Sequence, residues 1–291
     1  MTYEQLESTE LAIASALLYE AVLGADETGM RVNRKTWWLH TLRSEYWTLY
    51  HLSPKRGREA MDAMGVLLLF TGVLMHDHWK PYFHYGVIHA LCNAHHLREL
   101  QGVIDRDRNR HAARMMRLLQ FSWHISKGFR KVGMAAIPAL VLERIERLYQ
   151  QILTHGLREE EAFMERRRQY LKSKKVRRTK AYNLFRRLRD YQAETLRFLV
   201  DFRVPFDNNG SERDVRMGKL KAKISGCFRS KAGAASFGRI RSYISSARKQ
   251  GLGVFKSLLI AIIRTVFGQQ FWGLWLYRIL FGNSGLPETC H

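Results

Sequence analysis

Acidic residues are scarce in this sequence: 26 Asp and Glu stand against 48 Lys and Arg, a formal charge of +22 over 291 residues. That imbalance argues against a basic partner and points to a polyanion, because each phosphate neutralised by a basic side chain releases condensed counterions. A generic basic surface is the plainer alternative. Cysteine is nearly absent. Cys92, Cys227 and Cys290 are widely spaced and form no C-x-x-C pair, which excludes a disulfide framework and fits a reducing cytoplasm. Long charge-free apolar runs are also missing. The stretch SLLIAIIRTVFGQQFWGLWLYRILFG is interrupted by Arg264, Gln269, Gln270 and Arg278 and falls short of the roughly 18–20 residues of a membrane span. It reads instead as a buried helix followed by an aromatic tail. The N-terminus lacks the basic start of a signal peptide. With 46% hydrophobic residues the chain is too apolar for disorder and long enough to bury a full core.

Periodicity organises what is present. Residues 4–20 carry an imperfect apolar stripe and are predicted helical. AVLGADETG then reads as a strand ending in a turn at Gly29. Thr36–Leu42 and Trp47–Leu52, rich in β-branched and aromatic residues, read as two further strands in an antiparallel meander with the first. Arg58–Phe70 is predicted helical, Thr71-Gly72 a turn, and VLM a buried strand running into His76-Asp77. A short strand, VIHAL, leads to Cys92 and a long helix.

From about residue 97 to 200 helical periodicity dominates, and Arg166–Arg189 holds twelve basic residues and no acid. A charge run is usually a solvated face; within a protein acting on nucleic acid it serves better as a phosphate-contacting arm. The chain thus divides into an N-terminal helix (1–20), a first part of the core (21–96), a basic helical insertion (97–200), closing core helices (201–258) and an apolar, aromatic tail (259–291). Strands and helices in this order, with acids at two strand ends, predict an α/β fold: an RNase H-like mixed sheet with a large helical insertion between the second Asp and the Glu.

Three acids stand out. Asp26 follows an apolar strand, Asp77 follows another, and Glu212 lies in DNNGSERDVRM, which reads as a helix start capped by Asp207, Asn208 or Ser211. Each has a plainer explanation: turn former, helix cap, capping-box member. Together they suit phosphoryl transfer, in which two Mg²⁺ ions about 3.5–4 Å apart activate the nucleophile and stabilise the leaving oxygen. Mg²⁺ prefers carboxylate oxygens and keeps several waters, so two or three converging carboxylates suffice.

The strings DETGMRV (26–32), HDHWKPYF (76–83), ALCNAHHLREL (90–100), DFRVPFDNNGSER (201–213) and SGCFRSKAGAASFGRIRSYISSARKQG (225–251) resemble the insertion sequence 66 family of transposases. The resemblance runs from about residue 20 to 258. It implies a DDE transposase that cuts and rejoins DNA with Mg²⁺, or Mn²⁺ in its place, and that Asp26, Asp77 and Glu212 are both the catalytic acids and the metal ligands. It further implies double-stranded DNA as partner (transposon ends and target), a homo-oligomer in the active complex, helper proteins of the same element, and a cytoplasmic, nucleoid-associated location without membrane.

Around the acids, His76 and His78 flank Asp77, where they could orient the carboxylate or touch phosphate. Asn208 and Asn209 shape the turn that presents Glu212. Cys92 and His95 match the family's Cys-x-x-His element; a structural zinc needs four ligands and no second pair lies at a suitable spacing, so a packing or DNA-proximal role at the root of the insertion is the better reading. Phosphate contacts are expected of Arg166, Arg167, Arg168, Lys174, Lys175, Arg177 and Arg178 in the insertion, and of Arg213, Arg216, Lys219 and Lys221 after Glu212. Family members usually carry a substantial N-terminal region with dimerisation and DNA-binding elements, whereas about 20 residues precede the first strand here. A truncated DNA-binding remnant, or an RNase H-like nuclease without strand transfer, is therefore the alternative.

Overall fold

The computed structural model describes residues 6–172 and 176–267. Helix α1 (Glu7–Leu18) precedes a meander of β1 (Val22–Val32), β2 (Lys35–Arg43) and β3 (Thr48–Ser53). The helix α2 (Arg58–Asp62) follows, then β4 (Val73–His76), a 3₁₀ turn (Lys80–His84) and β5 (Ile88–Leu91). The strands form one mixed sheet in the order β3-β2-β1-β4-β5, with β1–β2–β3 antiparallel and β1–β4–β5 parallel. Five helices come next: α3 (Asn93–Asp107), α4 (Arg110–Lys131), α5 (Ala139–Tyr170), α6 (Lys180–Asp190) and α7 (Gln192–Val200). The chain closes with α8 (Asn209–Ser225), α9 (Lys231–Lys249) and α10 (Val254–Phe267). This is the mixed α/β fold anticipated above, consistent with an RNase H-like core carrying a helical insertion.

Two segments depart from the sequence reading. The first strand does not turn at Gly29. It pairs with β2 through Val32↔Lys35, and the turn falls at Asn33-Arg34, both with positive φ (47° and 62°), the backbone a two-residue hairpin requires. Asp26 is therefore a mid-strand residue. The helix predicted to reach Phe70 ends at Asp62, because Gly65 takes φ +70° and turns the chain so that Val66, Leu67 and Phe70 enter the core from irregular backbone.

Burial alternates along β1. Leu23 and Ala25 join Ile13, Leu17, Leu42 and Leu49 beneath α1. On the other face Met30 and Val32 join Leu39 and Tyr50 beside α8 and α9. The insertion is not a detached arm: Val73, Met75, Ala90 and Cys92 from the sheet share one apolar cluster with Leu119 of α4, Tyr149 of α5, Phe185 of α6 and Phe198 of α7. Burying such side chains contributes about 1.5–3 kcal/mol each, which seats the insertion firmly against the β5 edge. At the start of the stretch predicted as a buried helix, α10 buries Ser257 and leaves Leu259 exposed.

Candidate active site

Strand register brings the first two acids together. In the parallel β1–β4 pair Gly24 lies opposite Met75. Asp26 and Asp77 are each two residues further on, so the same alternation carries them toward one another on the face that α8 covers. Asp77 falls just past the end of β4, and its Oδ1 accepts the Trp79 N–H at 2.9 Å, a turn that starts the 3₁₀ segment. The capping explanation for Asp77 is thus present alongside its position at the strand end.

Glu212 arrives from α8. Asn208, buried at the start of that helix, donates through Nδ2 to the Ala25 carbonyl at 2.7 Å and accepts the Ser211 hydroxyl at 2.6 Å. Its own N–H donates to Cys92 Sγ at 3.2 Å. One side chain and one backbone group therefore tie α8 to both β1 and the end of β5, and Glu212 sits in the first helical turn. The approach is close: a Cβ on Gly24 would lie 2.4 Å from Ser211 Oγ and 2.6 Å from Asn208 Oδ1. Asn209 is exposed and contributes through its backbone N–H, which donates to Asp207 Oδ1 at 3.0 Å.

The electrostatics single out Asp26. Burial, then the neighbouring charge of Glu27, with Asp77 and Glu212 adding to it, push its carboxyl from 3.8 to about 7, relieved only partly by the Glu27 N–H at 2.9 Å. Glu27 points to the opposite face, where Tyr82 donates to it at 2.7 Å and Arg56 at 2.8 Å; burial still raises it. Arg56 is itself stacked between Trp38 and Trp79, at 4.6 and 4.5 Å from the ring centres. Arg187 of α6, which pairs with Glu99, feels the charge of Asp77.

The histidines beside Asp77 are less available than expected. His76 is fully buried, contacts the Asp77 carbonyl and His89, and burial lowers it to about 3, so it is a neutral packing residue that cannot reach phosphate. His78 is half-buried, packs edge-on against Tyr191 at 4.2 Å, and is lowered to about 4 by burial.

Cys92, His95 and Glu212 offer ligand atoms within 4.8 Å of one another, a grouping among the described residues that takes in Glu212 but neither Asp26 nor Asp77. It fits a metal poorly. Burial raises the Cys92 thiol, which keeps its proton and accepts the Asn208 N–H, and Arg98 occupies Glu212 Oε1 at 2.7 Å. An all-carboxylate set has the donor chemistry that a hard cation takes, and burial, with adjacent acids adding to it, raises the Asp26 carboxyl to about 7.

The basic residues divide. Arg213, Arg216 and Lys219 are exposed on α8, while Lys221 lies over the Phe228 ring at 5.0 Å. In the insertion Arg166 and Arg167 line a polar cavity of about 650 Å³ with Lys180, Arg168 pairs with Glu165 at 2.6 Å, Arg177 is exposed, and Arg178 lies over Tyr182. Lys174 and Lys175 lie outside the described residues.

The model of the transposase IS66 family matches residues 1–236. The chain belongs to the IS66 family of transposases. No curated protein matches it. As an IS66 family transposase it is a DNA-processing protein of insertion-sequence transposition, and no helix among its described residues is long and apolar enough to cross a membrane. Sequence reasoning missed Glu27, Arg98, Arg187 and the Arg56 stack. Only Arg98 left a trace, three residues after His95 on one helical face.

Proposed function

We propose that this IS66 transposase is a DDE enzyme whose Asp26, Asp77 and Glu212 hold Mg²⁺, or Mn²⁺, and which cleaves DNA at element ends and joins the freed 3′-hydroxyl to target DNA. The observation that carries this reading is the register that sets Asp26 and Asp77 each two residues beyond the Gly24↔Met75 pair of adjacent parallel strands, and the raised Asp26 carboxyl supports it. When bound, divalent metal supplies an activated nucleophile and neutralises the leaving oxygen. In this reading Asp26 and Asp77 supply oxygens from adjacent strands, and Glu212 joins them from the first turn of α8, whose start Asn208 ties to β1. Exposed Arg213, Arg216 and Lys219, continuing along α8 from Glu212, position the phosphodiester backbone; the basic residues of the insertion add phosphate contacts further out. The active form acts as a homo-oligomer on paired ends, with helper proteins of the same element, at the nucleoid in the cytoplasm.

A strand-transfer assay on pre-cleaved ends tests the proposal with Asp77→Asn, which keeps size and hydrogen bonding but removes the charge. The variant should fold, bind DNA through its basic surface, and lose both cleavage and strand transfer. Wild type should work with Mg²⁺ or Mn²⁺ and fail with Ca²⁺, whose looser coordination misplaces the reacting oxygens. Strand transfer retained within a few-fold by Asp77→Asn would remove Asp77 from the metal site. Cleavage without strand transfer in wild type would favour a nuclease, and DNA binding without either step a non-catalytic remnant.

A further inference from the structure

Glu212 is held by α3 rather than aimed freely at the other two acids. Arg98 Nη2 donates to Glu212 Oε1 at 2.7 Å, and His95 Nδ1 stands 3.6 Å from the same oxygen. Arg98 Nε is anchored to its own helix through the Ala94 carbonyl at 3.2 Å, so the guanidinium is fixed in place over the carboxylate. The two partners differ in exposure: the Arg98 side chain is 59% accessible and that of Glu212 17%.

A guanidinium that donates to a carboxylate is equally suited to donate to a phosphate. We propose that Arg98 is a positioning residue that retains Glu212 on α3 until a DNA phosphate takes its place, so that loading of divalent metal at the carboxylates depends on DNA. The inference rests on the metal role proposed for Asp26, Asp77 and Glu212. The consequence is economical control: without DNA the third ligand is engaged elsewhere, and metal-dependent hydrolysis has no complete site. By linkage, metal must tighten DNA binding by the factor by which DNA tightens metal binding.

The test uses the full chain and Mn²⁺ as probe. Free Mn²⁺ is followed by electron paramagnetic resonance without DNA, and binding of a short duplex by fluorescence anisotropy with and without Mn²⁺. Arg98→Gln should bind Mn²⁺ roughly two- to five-fold more tightly than wild type without DNA, the range expected when an exposed ion pair no longer competes. It should also lose most of the Mn²⁺-induced gain in DNA affinity. Arg98→Lys, which keeps the charge, should stay near wild type in the DNA-free titration, and thermal melting should show both variants folded. Unchanged Mn²⁺ affinity in Arg98→Gln, together with loss of that affinity in Asp77→Asn, overturns the Arg98 proposal and leaves the metal site intact. Mn²⁺ binding that survives Asp77→Asn overturns the metal site and this inference with it.

Discussion

Two aspartates packed at the interface of α8 with the sheet are treated in opposite ways. Asp214, two residues beyond Glu212, has cations supplied by the protein: Arg43 Nε at 3.1 Å and Lys249 Nζ at 3.5 Å, with the Thr48 hydroxyl at 3.4 Å. Burial lowers Lys249 to about 8, and the charge of Asp214 resists that fall. Asp26 has acids for neighbours instead, and its carboxyl rises to about 7. An acid whose counter-charge is built in holds helices and strands together. An acid left with other acids is costly to the fold, and acids perturbed in this way cluster at functional sites.

That contrast is sharpest in activity. Asp26→Asn should lower strand transfer by at least about a thousandfold, a barrier increase of about 4 kcal/mol. Asp214→Asn should reduce it only in proportion to the fraction of protein that unfolds. Quantitative turnover on pre-cleaved ends, normalised to folded protein, separates the two.

Stability should move in opposite directions. Removing Asp214 leaves Arg43 and Lys249 partly buried without their counter-charge, and should cost about 2–4 kcal/mol in urea unfolding at pH 8. Asp26→Asn should stabilise the metal-free protein by about 1–3 kcal/mol at that pH. The sign follows from proton counting. Between the unfolded value of 3.8 and the folded value of about 7 the native state holds more protons at Asp26, so stability falls as pH rises through that window. The advantage of the variant should therefore grow from about pH 4 to 7 and level off above. Loss of stability in Asp26→Asn at pH 8 would mean that Asp26 is a structural acid like Asp214.

The close approach of α8 offers a test that leaves every acid in place. Gly24→Ala forces the Ser211 and Asn208 side chains away from β1, since a Cβ there would lie 2.4 Å from Ser211 Oγ. Displacing Glu212 by a fraction of an ångström should reduce strand transfer about ten- to a hundredfold with DNA affinity unchanged. The smallest effect belongs to the exposed basic residues. Each of Arg166, Arg167 and Arg177 that contacts phosphate should reduce the salt slope of DNA binding by about one when neutralised. An unchanged slope marks that residue as merely solvated.

Local chemistry decided what was legible in the sequence. The meander was readable because β2 and β3 are built from β-branched and aromatic residues between turn formers. The insertion was readable because periodicity changes after residue 97. The turn was misplaced at Gly29 because glycine is the usual turn residue, whereas Asn33-Arg34 supply the positive φ and Gly29 stays paired opposite Trp38. The helix after Arg58 was overextended because its apolar residues are as well spaced for a helix as for the irregular run that Gly65 creates. Pairings between distant segments left no signal: Asp214 with Lys249, Glu212 with Arg98, and Asn208 with Ala25 are set by how the closing helices α8 and α9 pack against each other, the sheet and α3. The three acids lie in the motif strings, and composition alone does not distinguish them from the other acids.

The most direct test is a crystal structure grown with Mn²⁺ and measured for anomalous scattering. Two candidate sites share Glu212: its charge acts on Asp26, and its carboxylate offers an oxygen within 4.8 Å of ligand atoms of Cys92 and His95. The account predicts an anomalous peak between Asp26 and Asp77, about 2.0–2.2 Å from an oxygen of each, with Glu212 turned toward it. A peak between Cys92, His95 and Glu212, with Asp26 and Asp77 empty, would contradict it.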